Sequence, residues 1–356
     1  MRLINIYSMK MEEFYGANVP EYAILSHTWG LDEISYQDYV WLDNFEEELG
    51  EGVIDELAPK QQMRVIRKAD SLKAREGFKK VHDFVDLVKG MREDGRSKEN
   101  SVDYVWVDTC CINKESSAEL TEAINSMYAW YGNASTCIAF LSDVKVSVNP
   151  EYNPGDIICG SRWFTRGWTL QELIAPKEVE FCDQHWNKIA KRAWAADSIS
   201  RITGIDYKTL TSPGNLTRLT VAERMSWAAK RETTRVEDMA YSLLGIFGVN
   251  MPLLYGEGNR AFPRLQQEII KSNNDYSIFA WGLDQPLTIE WGAEHNSMLA
   301  RHPAAFSHCG GLGLPDGTQE GRWGNLITST PFNQTNVGLE MPLLLVDIPD
   351  IVSSAL

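Results

Sequence analysis

Asp103-Tyr-Val-Trp-Val-Asp108 is the stretch from which the fold of this chain can be read. Its interior is apolar at consecutive positions rather than alternate ones, so a strand built from it is buried on both faces. That is the pattern of a central strand in a parallel sheet covered by helices. The run ends in Asp108, which such a strand delivers to the carboxyl edge of the sheet. Upstream, Glu21-Tyr-Ala-Ile-Leu-Ser26 is a second buried run that breaks into the polar and aromatic loop Ser26-His-Thr-Trp-Gly30. Between the two, Phe78, Val81, Phe84, Val85 and Val88 recur at helical spacing and predict an amphipathic helix stopping near Gly90. Downstream, Ser117 and Glu119 open a helix that runs through Trp130. Thr136 to Leu141 reads as a third strand and Val179-Glu-Phe-Cys182 as a fourth. Strand and helix alternating in this way imply an α/β fold, a parallel sheet with helices on both faces.

The chain divides into three parts on this reading. Residues 1–190 form the α/β domain, with an acidic insertion near 41–76, of which 41–60 reads as a solvated loop. Residues 191–275 are a helical extension with helices over Val221 to Lys230, Arg235 to Phe247 and Ala261 to Lys271. Residues 276–356 are rich in Trp, Gly, Pro and Thr and read as a mixed or β-rich segment with no assigned role.

Composition excludes several functions. The 356 residues are 44% hydrophobic, ample for real cores, and the net charge of -15 offers no surface for nucleic acid. The first residues have no apolar stretch followed by a small-residue cleavage site, and no apolar run is long enough to span a bilayer, so no membrane partner and a cytoplasmic location are expected. The six cysteines, at 110, 111, 137, 159, 182 and 309, lack Cys-x-x-Cys spacing, so reduced thiols and no metal site are expected.

Ser161-Arg-Trp-Phe-Thr-Arg-Gly-Trp-Thr-Leu-Gln-Glu-Leu-Ile-Ala-Pro176 places one carboxylate, Glu172, in a short helix crowded with aromatic and aliphatic side chains. Thr165 is the expected N-cap and Pro176 the stop. Trp168 and Glu172 share one face, while Leu170, Leu173 and Ile174 can seat the helix on a core. Glu172 is thus either a desolvated site residue or the partner of a cation such as Arg166.

Four motifs carry a resemblance: Tyr22-Ala-Ile-Leu-Ser-His-Thr-Trp-Gly30, Val105-Trp-Val-Asp-Thr-Cys-Cys-Ile-Asn113, Glu122-Ala-Ile-Asn-Ser-Met127 and Arg166-Gly-Trp-Thr-Leu-Gln-Glu-Leu173. In this order they resemble the fungal heterokaryon-incompatibility (HET) domain. Arg231 to Phe247 with Leu254-Tyr-Gly-Glu-Gly258 is similar to what commonly follows it, so the resemblance spans about residues 20 to 270. Two departures stand out: residues 41 to 76 are longer and more acidic, and Asn113 stands where the family more often has Asp. HET domains resemble TIR domains in turn, which implies a TIR-like (flavodoxin-like) sheet. Trp168-Thr-Leu-Gln-Glu-Leu173 matches the TIR spacing Trp-Cys-x-x-Glu-Leu, whose Glu cleaves the nicotinamide-ribose bond of NAD.

The resemblance therefore implies a cell-death effector with NAD(P) glycohydrolase activity, Glu172 catalytic, NAD or NADP as substrate and no cofactor. Substrate contacts are expected from Ser26, His27, Trp29, Gly30, Asp108, Arg166 and Trp168. Each has a structural alternative: Asp108 can cap a turn, His27 can orient a loop, Trp29 can be core, and Arg166 can pair with Glu172 instead of a pyrophosphate. Arg235 and Asp238, three apart on a helix, are expected to pair or to dock the helical layer rather than act in catalysis. Homo-oligomerisation through the HET domain and a regulatory protein partner are also expected. A non-enzymatic assembly module that triggers death is the alternative function. NAD against NADP, and hydrolysis against cyclisation or base exchange, remain open.

Overall fold

The computed structural model describes residues 1–50, 52–93, 102–146, 153–212, 214, 216–282, 298–312, 332–335 and 338–341. A seven-stranded sheet holds the molecule together. Its strands are β1 (Arg2–Asn5), β2 (Met11–Glu13), β3 (Tyr22–His27), β4 (Tyr104–Trp106), β5 (Thr136–Phe140), β6 (Val179–Cys182) and β7 (Lys188–Lys191), in the order β2-β1-β4-β3-β5-β6-β7. The four strands foreseen from their apolar runs are mutually parallel and central, with Ile24 beside Trp106 and Cys137. All six residues of β3 are buried. The sheet as a whole is mixed, because β1, β2 and β7 join it antiparallel. These outer strands are short and half polar, and so gave no strong pattern in sequence.

Within the stretch 41–60 expected to be loop-like, residues 41–50 and 59–60 are helical. Helix α1 (Tyr36–Gly50) buries Tyr39, Leu42 and Phe45 at helical spacing and turns its acidic run outward, where Glu46 and Glu47 pair with Lys73 and Lys10. Helix α2 (Pro59–Lys73) opens with proline in its first turn and buries Ala69 and Leu72, and α3 (Glu76–Glu93) leads to β4. A four-residue turn, α4 (Asp108–Cys111), then precedes α5 (Ser117–Asn133), which Ser116 caps by accepting from the Glu119 amide. Helices α6 (Pro154–Cys159) and α7 (Thr169–Ile174) connect β5 to β6.

From β3 the chain moves one way along the sheet to β4, then reverses across β3 to β5. Right-handed crossovers therefore put α1 to α3 on one face and α5 and α7 on the other. The end of β3 bears this out: Ser26 bonds Glu172 of α7 while its neighbour His27 contacts Lys80 of α3, as alternation requires.

The helical extension comprises α8 (Ala196–Thr203), α9 (Tyr207–Thr211), α10 (Val221–Ser226), α11 (Asp238–Tyr241), α12 (Leu244–Phe247) and α13 (Ala261–Ser272). The single helix expected over Arg235 to Phe247 is broken in two. Its backbone tightens to i→i+3 bonds at Leu243 and Ile246 where Gly245 meets α5, and a Cβ there would lie 2.0 Å from Tyr128 Cβ. Most of the segment expected to be mixed or β-rich lies outside the described residues. Its described part includes two 3₁₀ turns, Tyr276–Phe279 and Pro303–Phe306, and an antiparallel pair, Asn333–Gln334 with Leu339–Glu340. All six cysteines are free thiols, five of them buried. Among the described residues no helix is long and apolar enough to cross a membrane.

Candidate functional site

The end of β3 and the loop after it grip Asp108. His27 Nε2 lies 2.9 Å from Asp108 Oδ1, and its Nδ1 lies 2.9 Å from Lys80 Nζ. An ammonium can only donate, so Nδ1 accepts from Lys80 and Nε2–H donates to the carboxylate. Trp29 Nε1 donates to the other oxygen, Oδ2, at 2.8 Å. Burial works against the Asp108 charge. The His27 hydrogen bond, the Lys114 charge and the Trp29 bond overcome it and hold the carboxyl at about 2.

Glu172 is held differently. Every residue of α7 is buried, and Glu172 retains 6% exposure. Its N-terminus is not capped by Thr165, which instead closes a 3₁₀ turn (Arg162–Thr165) by donating to Arg162 O at 2.8 Å, a turn that Ser161 caps. Thr169 does the local work: its hydroxyl bonds the carbonyls of Trp163 and Arg166 and accepts from Arg231 Nη1 at 3.0 Å. Ser26 Oγ donates to Glu172 Oε2 at 2.5 Å and accepts from Trp163 Nε1 at 2.9 Å. Burial pushes the Glu172 carboxyl up to about 8 despite the Ser26 bond; the Asp108 charge adds to the rise, while Tyr131 and Arg231 oppose it. The ion pair with Arg166 does not form, since that guanidinium bonds Thr234 Oγ1 at 2.9 Å.

These groups meet in a cavity of about 310 Å³ beyond the carboxyl ends of β3 and β4, where the chain order reverses. Of the expected site residues, His27, Trp29, Asp108, Arg166, Trp168 and Glu172 line it. Ser26 lies behind Glu172 outside the lining, and Gly30 turns away to donate its amide to Glu33 Oε1 at 2.6 Å. Asn113 is also outside the lining; its Oδ1 accepts from Gln37 at 2.7 Å and from the Glu115 amide at 3.1 Å, a turn-forming role.

Sequence reasoning missed one wall. The helical extension lends Thr234, Arg235, Asp238 and Tyr255 to the lining, and the turn after Asp108 lends Lys114. Arg235 and Asp238 both engage Tyr255: the guanidinium lies 4.5 Å from its ring centroid, and its hydroxyl donates to Asp238 Oδ1 at 2.9 Å. Burial raises the Asp238 carboxyl. Lys114 Nζ sits 3.6 Å from the Trp29 ring centroid, so one face of that ring already carries a cation. The signals were Lys114 beside the Asn113 motif and Tyr255 inside Leu254-Tyr-Gly-Glu-Gly258.

Gly167 lets this wall close on α7. Its amide donates to Glu232 O at 2.8 Å, and a Cβ would lie 2.4 Å from Thr233 Cγ2. Among the described residues no group of three or more His, Cys, Asp or Glu could hold a metal.

Fold and site together define an α/β protein with an acid-floored cavity at the carboxyl edge of its parallel strands, closed on one side by helices. Residues 22–152 match the family model described as heterokaryon incompatibility protein (HET). The chain is 41% identical over 264 residues to vegetative incompatibility protein HET-E-1 of Podospora anserina. The chain carries a HET domain. The match covers 72% of this chain and spans 16% of that relative's length. No solved structure matches the chain.

Proposed function

We propose that the cavity binds an oxidised nicotinamide dinucleotide and that Glu172 promotes cleavage of its nicotinamide-ribose bond. The observation that carries this reading is the charge layout. Glu172 lies buried with hydroxyl donors, and an acid so placed favours a cation as its neighbour. Arg166, Lys114 and Arg235 line the same cavity but are half-buried or exposed, in a protein whose net charge is -15. A ligand with a cationic ring at its deep end and anionic phosphates at its shallow end satisfies both, and NAD(P)⁺ has that form. In the reaction the C–N bond breaks with its electron pair passing to the ring, which leaves as neutral nicotinamide. Ionised Glu172 stabilises the oxocarbenium-like ribose, and water adds to it and releases a proton to solvent. The TIR-like spacing of Trp168 to Leu173 supports the same role for Glu172, as fold-level analogy.

By its likeness to a vegetative incompatibility protein, the chain acts on this reading in fungal heterokaryon incompatibility, as a cell-death effector that depletes the nucleotide and works as a homo-oligomer. The test is nicotinamide release from NAD⁺ and NADP⁺ by the purified chain, dilute and concentrated. Wild type is expected to turn over and Glu172→Gln to lose at least about a thousandfold. Unchanged activity in the variant removes Glu172 from the mechanism. No turnover under either condition favours the assembly-module alternative.

A further inference from the structure

The helical extension sends one guanidinium beneath the helix that carries Glu172. Arg231 is 3% exposed. Its Nε donates to Trp227 O at 3.3 Å, and its Nη1 to Arg166 O at 2.8 Å and Thr169 Oγ1 at 3.0 Å. All three acceptors are uncharged, and its Nη2 is buried with no hydrogen-bond partner among the described residues. Burying a guanidinium this way is costly, and a buried unsatisfied group in a native fold calls for a reason. The adjoining backbone is clamped to the same loop, with Glu232 N bonded to Thr165 O at 2.7 Å and Gly167 N to Glu232 O at 2.8 Å. Arg231 therefore cannot easily turn away.

Thr169, which Arg231 holds, lies three residues before Glu172 on α7, so the two side chains share a helix face. Around Glu172 stand Ser26 of β3, Asp108 after β4, Tyr131 of α5, the Cys137 thiol of β5, and Arg231. Arg231 is the cation among them. The attraction is mutual: burial pulls the Arg231 pKa down to about 9, and Glu172 resists that fall.

We propose that Arg231 is the fixed counter-charge of Glu172 and the positioning residue of its helix, so that the ionised carboxylate forms because this guanidinium stands behind it. Its link to catalysis rests on the glycohydrolase reading; its link to Glu172 does not. Arg231→Gln keeps an amide donor and Arg231→Met keeps only an apolar stem, so the two variants remove the charge with different losses of contact to Trp227, Arg166 and Thr169.

The experiment titrates the Glu172 carboxyl by infrared difference spectroscopy of the full chain against Glu172→Gln, without nucleotide, in wild type, R231Q, R231M and R231K. The charge-free variants are expected to titrate about one pH unit or more above wild type, and R231K close to it. In the same variants the acid limb of the kcat/KM profile for NAD⁺ is expected to move up in step. At pH 7 that is about a tenfold loss, recovered in R231K. A folded charge-free variant with an unchanged midpoint overturns the assignment. Loss of the fold in both makes Arg231 a strut and overturns it too. A wild type that titrates as expected but leaves NAD⁺ intact refutes the glycohydrolase reading and leaves the counter-charge standing.

Discussion

Replacing Glu172 with glutamine should stabilise the protein, by an amount that depends on pH in a fixed direction. The folded carboxyl has its pKa at about 8, against an ordinary value of 4.5, with burial as the main cause. Below pH 4.5 the folded and unfolded chains both hold the proton, and the residue is indifferent. Between 4.5 and 8 the unfolded chain has released a proton that the fold retains, so each pH unit costs the fold about 1.4 kcal/mol. Above 8 the penalty is constant, at about 5 kcal/mol at most. Glutamine has no proton to lose and keeps an oxygen for the Ser26 hydroxyl. The assay is urea denaturation of wild type and Glu172→Gln at pH 5, 6.5 and 8. The expected gap favours the variant, is smallest at pH 5 and grows by about 1.4 kcal/mol per unit until pH 8. A gap that is flat with pH, or a variant less stable than wild type at pH 8, refutes the burial of a neutral acid here. The same titration governs the proposed activity: if ionised Glu172 does the chemistry, kcat/KM climbs about tenfold per pH unit and levels off near 8.

Three further outcomes follow from the geometry. Asp108→Asn removes a like charge, so the Glu172 midpoint and the acid limb of the rate profile should move down. The same variant should lose the stability that wild-type Asp108 supplies above pH 3.8, about 2 kcal/mol, a contribution that wild type itself loses as pH falls toward 2, all measurable by melting across pH. Gly167→Ala drives a Cβ into Thr233 Cγ2 and should cost about 1 to 3 kcal/mol in chemical denaturation, with Thr233→Ser, which lacks that methyl, restoring most of it. On the proposed glycohydrolase reading, Arg235→Ala should raise KM for NAD⁺ severalfold at low salt and much less at high salt, with kcat unchanged, as loss of a proposed phosphate contact near the surface would.

The parts of the fold that were legible in sequence are those in which burial is written into consecutive residues. Tyr22–His27, Thr136–Phe140 and Val179–Cys182 are largely apolar because strands covered on both faces bury nearly every position, and the buried polar Ser26 and His27 fall at the site end of their strand. Arg2–Asn5, Met11–Glu13 and Lys188–Lys191 sit at or near the sheet edges, face water on part of their surface, and carry mixed residues that signal nothing alone. Tyr36–Gly50 was misread for a related reason. Its carboxylates dominate the composition, whereas only Tyr39, Leu42 and Phe45 record the face that packs.

The cavity was half legible, and the division has a physical cause. His27, Trp29, Asp108 and Glu172 follow or precede strands, so the topology of a parallel sheet gathers them at one edge before any contact is known. Asp238 and Tyr255 reach it through tertiary packing of the helical extension, which no periodicity encodes. Their alternation with exposed neighbours such as Val236 and Leu254 looks like an ordinary surface turn.

The two acids of the cavity end in opposite protonation states although both stand beside one strand order reversal. Asp108 receives N–H donors on both oxygens and the Lys114 charge, so ionisation is favoured over burial. Glu172 receives hydroxyls and a more remote guanidinium, so burial wins until a positive charge enters the cavity. An acid held in this way keeps its proton at neutral pH. Entry of a cationic ring beside Glu172 favours release of that proton, and the rings of oxidised and reduced nicotinamide differ in this one charge. The locked anion of Asp108 raises the cost of ionising Glu172, and Arg231 lowers it. Burial sets most of the pH at which the acid changes form, and the balance between those two fixed charges, on elements more than a hundred residues apart in the chain, adjusts it.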